Sequence, residues 1–341
     1  MKYVISHALP DKQDASVKAH TDIDRFLGGE DYKILTFATR TGGNRFSRQI
    51  HRLFSIRHLA KTVTANDSVV VQYPVYSSDL DTDLFYNRVV SKAKQKIAIV
   101  HDLPFLRDSF PPVTKVMQKE LQRLNLFNTV IVHNEAMQKK LVALGIETNI
   151  VTLGLFDYYT PKVNKIDVAK SIPTRVLFAG NLTKSSFVTK LKSNELVQYH
   201  LWGSVVDKAT LDISIDYHGI VLPDELPQYL INGWGLVWDG NTTDTVSGLG
   251  GEYLRYIDPH KTSLYISSGI PVIVWQHAGV ARFIQENNLG LVIESIEEIP
   301  ERLQNLSQEQ YKIIMQSVHD MQAKLVVGSM IKTAVNRAIN S

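Results

Sequence analysis

The chain has 341 residues, 44% apolar and 21% charged, with a net charge of +3 and no cysteine. That length exceeds one comfortable hydrophobic core and points to two domains. The near-balanced, interspersed charge argues against nucleic acid as a partner. Disulfides, thiolate metal sites and cysteine nucleophiles are excluded together, which fits a reducing compartment. The opening stretch from Met1 to His7 is too briefly apolar for a signal peptide. No apolar run approaches the roughly 18 residues of a membrane span. The expectation is a cytoplasmic protein.

Short β-rich runs alternate with helix-length patterns along the whole chain. Tyr3–Ser6 reads as a first strand, and Asp14 or Ser16 is placed to cap a helix over Val17–Leu27. Tyr32–Phe37 is the next strand, followed by a basic helix around Arg45–Lys61. Ser68–Tyr73 is almost continuously apolar, as in strands buried on both faces of a parallel sheet. A helix around Leu84–Ala93 leads to the strand Ile97–Val100. Met117, Leu121 and Leu124 then mark one helix face. After the strand Thr129–His133, Asn134 is an N-cap for a helix stopped by Gly145. Thr148–Leu153 closes this half.

Residues Asp157–Pro173 have the polar, proline-bearing composition of a linker. The alternation restarts with strands at Arg175–Ala179, Tyr199–Trp202, Ile213–Tyr217, Leu236–Trp238, Pro271–Trp275 and Gly290–Ile293. Strands alternating with helices imply parallel sheets with right-handed crossovers. The expected fold is α/β, with two doubly wound, Rossmann-like domains facing a cleft. The expected divisions are 1–156, a linker at 157–173, a second domain at 174–318, and a C-terminal helix at 319–341 packing back on the first domain. The stretch from Ser307 to Ala338 reads as helical throughout.

The most informative segment is Asp258-Pro-His-Lys-Thr-Ser-Leu-Tyr-Ile-Ser-Ser-Gly-Ile-Pro-Val-Ile-Val. Pro259 suits the first turn of a helix, which places His260, Lys261 and Thr262 at its N-terminus. Helix N-termini attract anions, and Lys261 adds a charge where a diphosphate would sit. An ordinary helix–turn–strand with a surface lysine is the competing account. The arrangement P-x-K-x-x-x-Y-x-x-x-G-x-P-V-I resembles the donor-site signature of GT-B glycosyltransferases, in which the lysine and helix N-terminus face the donor diphosphate. Val176-Leu-Phe-Ala-Gly-Asn181 resembles the strand and turn that open their donor domain. Tyr217-His-Gly-Ile-Val-Leu-Pro-Asp-Glu-Leu-Pro resembles their nucleotide-base segment. The resemblance therefore assigns Asn181, Tyr217, Gly219, Val221, His260, Lys261 and Thr262 to the donor. It departs at Leu264, where many relatives carry a ribose-binding glutamate.

Asp-Pro-His-Lys, Ser-Leu-Tyr-Ile and Ile-Pro-Val-Ile-Val-Trp together resemble a bacterial subgroup. It comprises glucosyltransferases that extend N-acetylglucosamine on serine-rich-repeat adhesins, and galactofuranosyltransferases of surface polysaccharides. This resemblance implies a UDP-sugar substrate, a glycan or glycoprotein acceptor, and a cytoplasmic homo-oligomer, dimeric or tetrameric. A non-catalytic, transferase-like partner subunit is the reading from a different class.

Other residues extend the candidate site. The loop Asp239–Glu252 is glycine-rich, and Gly250 and Gly251 allow backbone to approach a donor closely; a solvated connection is the alternative. Ser16 either meets the donor phosphates or only caps its helix. Asn181 is equally a turn cap. His101 and Asp102 follow a strand end, where one could serve as base toward an acceptor hydroxyl if the transfer inverts; a capping aspartate beside a hydrogen-bonded histidine is the plainer account. Tyr73 and Tyr76 suit sugar stacking in the acceptor site, although Tyr-Pro also makes a rigid turn. The histidines show no metal-ligand spacing. Asp22-Ile-Asp24 and Asp81-Thr-Asp83 match the manganese D-x-D of the other main glycosyltransferase fold, but both read as solvated faces. No metal and no cofactor is expected. A nicotinamide dehydrogenase would need G-x-G-x-x-G after the first strand, and a hydrolase a G-x-S-x-G elbow; neither is present.

Overall fold

The computed structural model describes residues 1–7, 15–29, 31–37, 45–75, 78–107, 114–164, 171–205 and 207–341. The chain divides into two units, Met1–Leu153 with Met330–Ser341, and Gly154–Ser329.

In the first unit the strands are β1 (Lys2–His7), β2 (Lys33–Phe37), β3 (Ser68–Tyr73), β4 (Gln95–Val100), β5 (Thr129–Val132) and β6 (Asn149–Thr152). They form one sheet in the order β2-β1-β3-β4-β5-β6, and every pairing is parallel. Val69, Val70, Val71, Val130 and Ile131 are buried, as strands covered on both faces require. The connecting helices are α1 (Ala15–Leu27), α2 (Arg45–Thr62), α3 (Asp79–Arg88), α4 (Pro104–Arg107), α5 (Thr114–Leu124) and α6 (Glu135–Ala143). Asn134 caps α6 as its position predicts, accepting from Met137 N at 3.0 Å. Helix α3 starts earlier than the apolar pattern suggests, because Ser78 caps it by accepting from Asp81 N. Residues Val90–Lys92, read as its continuation, form a separate 3-10 turn.

The D-x-D segments are not solvated faces. Asp22 is buried and ion-paired to Lys18 at 2.6 Å. Asp81 is fully buried, accepting from Gln49 at 2.6 Å, from Arg52 at 3.1 Å and from the Ser78 hydroxyl at 2.8 Å. A carboxylate withdrawn from water needs such partners. Asp83 is held by Lys119 and Arg123.

In the second unit β7 (Arg175–Ala179), β8 (Gln198–Trp202), β9 (Asp216–Tyr217), β10 (Trp234–Val237), β11 (Val272–Trp275) and β12 (Gly290–Ile293) form a sheet in the order β12-β11-β10-β7-β8-β9. It too is parallel throughout. Read from the β9 edge, this is the doubly wound order 3-2-1-4-5-6, whose ligand crevice lies where the order reverses, at the carboxyl ends of β7 and β10. In the first sheet the reversal falls between β1 and β3. Strand β9 is two residues long where five were expected, because Ile213 stands fully in solvent at the sheet edge.

The helices of the second unit are α7 (Gly248–Leu254), α8 (His260–Ser267), α9 (Ala281–Glu286), α10 (Ile299–Gln304) and α11 (Gln308–Leu325); α12 (Ser329–Asn340) follows. The terminal helical stretch is therefore broken, with Gly328 at φ 78° between α11 and α12. Residues 157–164, expected within a linker, pack into the second unit. Phe156 and Tyr158 are buried, and the Asn164 amide donates to Pro227 O at 2.6 Å and Ser268 O at 3.1 Å. No helix among the described residues is long and apolar enough to cross a membrane.

Candidate functional site

Lys261 stands at the reversal point of the second sheet. Helix α8 carries it there, with Pro259 as N-cap (φ −62°, ψ 138°), one position before the first-turn place the sequence suggests. The first amides of a helix have no intrahelical acceptor, so they and the helix dipole favour an anion at this end. The Lys261 ammonium donates to Trp238 O at 3.2 Å and lies 4.3 Å from the Phe178 ring centroid. A Cβ on Gly180 would approach it at 3.8 Å. Burial pushes its pKa down from the ordinary lysine value, opposed by the charge of Asp239. The cation is thus held without a carboxylate hydrogen-bonded to it among the described residues. Beside it Thr262 is fully buried, and its hydroxyl has no hydrogen-bond partner there.

Two contacts fix α8 on the sheet. The Tyr265 hydroxyl accepts from Ala179 N at 2.8 Å, at the end of β7. Gly235 on β10 lies under the Tyr265 ring, where a Cβ would come within 2.2 Å of Cγ. At the other end of the helix, the buried Gln322 amide donates to Ser267 O at 3.0 Å. His260 is half-buried, its ring 4.6 Å from that of Phe156.

The remaining donor candidates are spread around this point. Asn181 follows β7 and is exposed; its side chain accepts from Lys184 N at 3.2 Å, the turn-cap arrangement. In the glycine-rich loop, Gly240 takes φ 95°, and residues from Gly248 onward coil into α7. Gly251 is small for a packing reason, since a Cβ there would meet Val246 Cγ1 at 2.7 Å. Gly250 is exposed. Tyr217 uses its hydroxyl on Gly203 O at 2.9 Å, and Gly219, at φ 78°, accepts from Gly203 N at 2.8 Å. Val221 is half-buried. Leu264 is buried on α8.

The base segment is braced by a cluster that no sequence spacing reveals. His200, Asp216 and His218 come together because His200 and Asp216 are register partners on β8 and β9. Arg175 donates to His200 Nε2 at 3.1 Å, so the neutral ring carries its proton on Nδ1, which faces His218 Nε2 at 3.1 Å and Asp216 at 3.2 Å. Burial and then Arg175 push His200 down to about 4, keeping it neutral. A metal ion on Nδ1 would have to displace that proton while Arg175 occupies the other nitrogen. The cluster is therefore a hydrogen-bonded brace, and the His218 ring stacks on Trp202 at 4.4 Å.

In the first unit the strand ends carry a second polar group. His101 follows β4 and is half-buried, with Nε2 2.8 Å from Gln72 Oε1. Asp102 is committed elsewhere, accepting from Leu103 N at 2.9 Å and pairing with Arg107. Of the two residues the sequence offers as a base, the geometry leaves the aspartate as a local cap. His20 on α1 stacks on His101, with ring centroids 3.9 Å apart. Asp24 and Gln72, not singled out as site residues from the sequence, belong to this group; they are 48 positions apart, so no local pattern joins them.

Tyr73 is corrected as an acceptor residue. It is fully buried, with its hydroxyl bonded to Glu120, and so is shut off from any sugar. Tyr76 lies outside the described residues, and of Ser16 only the main chain, in the first turn of α1, is described.

Two parallel-sheet units, each with polar residues at its strand ends, have the architecture of the GT-B class of glycosyltransferases. The fold matches HepE of Anabaena in complex with UDP-glucose at a TM-score of 0.61, with 11% identity over 100% of both chains. Residues 2–155 match the N-terminal domain and residues 176–338 the C-terminal domain described as glucosyltransferase 3-like. The chain belongs to the glucosyltransferase 3-like family. It is 27% identical to beta-1,6-galactofuranosyltransferase WbbI of Escherichia coli (strain K12) over 277 residues, covering 80% of this chain and 79% of that one. It is 26% identical to glucosyltransferase 3 of Streptococcus gordonii over 283 residues, 82% of this chain and 80% of that one.

Proposed function

We propose that the second unit binds a UDP-sugar and that the enzyme transfers its hexose to a glycan acceptor. The observation that carries this reading is the pair at the start of α8: a desolvated Lys261 ammonium beside a fully buried Thr262 hydroxyl without a partner among the described residues. Buried polar groups are normally hydrogen-bonded, so both suit phosphate oxygens supplied by a ligand. In the transfer, the bond between the anomeric carbon and the diphosphate oxygen breaks, and Lys261 with the helix N-terminus stabilises the departing charge. That fixed positive charge replaces a divalent cation, so activity persists in EDTA. The Tyr217–Val221 backbone holds the base. For an inverting transfer, His101 takes the proton of the acceptor hydroxyl.

The similarity to glucosyltransferase 3 supports glucose as the sugar, and an N-acetylglucosamine-bearing, Ser/Thr-rich protein is the acceptor in this reading. In the same reading the enzyme acts as a cytoplasmic homo-oligomer. The similarity to WbbI supports a second reading, galactofuranosyl transfer, with a surface polysaccharide as the acceptor in that reading.

Thermal shift with UDP, UDP-glucose, UDP-galactose, UDP-galactofuranose, GDP and NAD tests the donor assignment. A ligand at 100 times its Kd stabilises the folded state by about 2.7 kcal/mol. We expect UDP compounds alone to shift the melting temperature, with the shift and the turnover lost in Lys261→Ala. An unchanged shift in that variant would remove the phosphate from α8.

A further inference from the structure

Asp239 follows β10 and is half-buried, and its charge acts on the neighbouring Lys261. The carboxylate is held by its own loop. Oδ1 accepts from Gly240 N at 2.7 Å, the Trp238 indole donates to Thr242 O at 2.9 Å, and Phe187 N donates to Gly240 O at 3.3 Å. Gly240 takes φ 95° against Ser247, where a Cβ would come within 2.2 Å of the main-chain oxygen. Oδ2 has no hydrogen-bond partner among the described residues. It lies toward the exposed Gly250, where a Cβ would stand 3.4 Å away. Gly180 does the same for Lys261, a Cβ there lying 3.8 Å from Nζ. Two glycines thus keep space beside two opposite charges.

Strand order says which part of a ligand each charge meets. Neighbours along the sheet run β9, β8, β7, β10, each step about 4.8 Å. The base segment starts at β9, Lys261 lies against Phe178 of β7, and Asp239 comes beyond it at the end of β10. A nucleoside diphosphate sugar is a chain of base, ribose, diphosphate and sugar. With its base at β9 and its diphosphate at Lys261, the ribose spans β8 and the sugar continues to β10. A carboxylate repels a diphosphate and only accepts hydrogen bonds, so the group it suits there is a hydroxyl. We propose that Asp239 is a sugar-binding residue whose Oδ2 accepts from a hydroxyl of the donor hexose, which selects an uncharged hexose over a hexuronate. The proposal rests on the reading of α8 as the diphosphate site.

Calorimetric titration of the wild-type protein and Asp239→Asn with UDP, UDP-glucose, UDP-galactofuranose and UDP-glucuronate tests it. Asparagine keeps an acceptor for Gly240 N, so the loop is retained. The readout is the affinity for each UDP-sugar divided by that for UDP. This ratio cancels any change at Lys261, because both ligands share the diphosphate. In Asp239→Asn it should fall about tenfold for at least one of UDP-glucose and UDP-galactofuranose. For UDP-glucuronate it should rise, since the like charge is gone. Gly250→Ala, which sets a carbon against Oδ2 and keeps the carboxylate, should lower the hexose ratio as well. A hexose ratio unchanged in Asp239→Asn for both sugars overturns the proposal and leaves Asp239 as a counter-ion to Lys261. Ordinary UDP binding with that outcome keeps the diphosphate reading, whereas failure of UDP to bind the wild-type protein overturns both.

Discussion

Asp24 is ionised against its surroundings. Burial raises its pKa from 3.8 to about 6, while hydrogen bonds from Ser6 and Gln72 offset part of the penalty. A raised folded-state pKa means that its contribution to stability is complete below pH 3.8 and is lost as pH rises through 6. The shift corresponds to about 3 kcal/mol. His133 works in the opposite sense. Burial depresses it from 6.5 to about 4, so the fold loses stability as pH falls from 6.5 toward 4. Between pH 4 and 6 the two changes offset each other, and the stability curve of the parent protein hides both. Asp24→Asn separates them. Relative to wild type it should be more stable by about 2–3 kcal/mol at pH 7.5, with the gain gone near pH 4. Urea melts of both proteins at the two pH values provide the comparison, and a constant difference would refute the desolvated carboxylate. None of this was readable from Asp22-Ile-Asp24 in the sequence. A buried and a solvated aspartate look alike until the cation or amide opposite them is known, and those partners come from elsewhere in the chain.

At the scale of elements, strands were the most legible part, because a strand covered on both faces is apolar along its length. Ser68–Tyr73, Arg175–Ala179 and Gly290–Ile293 appear with the bounds their composition suggests. The β9 edge was not legible, since an edge strand needs only a few paired residues. The candidate site divides in the same way. The α8 segment announces itself by local spacing, whereas the Gln72–His101 and Arg175–His200 bonds depend on sheet order. Beside its buried side chains, α8 is seated on the sheet by the Tyr265–Ala179 hydrogen bond and by its close approach to Gly235. Tyr265→Phe removes the acceptor of the buried Ala179 N–H and should cost about 1–3 kcal/mol. Gly235→Ala forces a carbon into the Tyr265 ring, within 2.2 Å of Cγ, and should cost more. Both displace the start of α8 and should weaken UDP binding beyond their loss of stability. Calorimetric titration with UDP at a temperature where the variants remain folded reads this directly. Unaltered UDP affinity in both would separate the anchoring of α8 from nucleotide binding.

At the scale of the whole molecule, the chain leaves the first unit near Leu153 and returns to it at Met330. The return is a structural part of the first core. Ile331, Ala334, Val335 and Ala338 on α12 are buried, and Ala338 O accepts from Gln95 at 3.1 Å on β4 and from Thr129 at 3.3 Å on β5. Uncovering two large aliphatic side chains costs roughly 3–6 kcal/mol, a large share of the 5–15 kcal/mol typical of a whole domain. Deleting residues 330–341 should therefore unfold or loosen the first unit, although most of that unit lies almost two hundred residues earlier in the sequence. Hydrogen exchange separates the two units in one experiment. Peptides spanning β4 and β5 should lose protection, while those covering β7, β10, β11 and β12 keep it. The truncated protein should still bind UDP, because α8 and its anchors belong to the second unit. Retained protection across β4 and β5 would mean that α12 is not part of the first core. Loss of protection throughout would mean that the two units do not unfold independently.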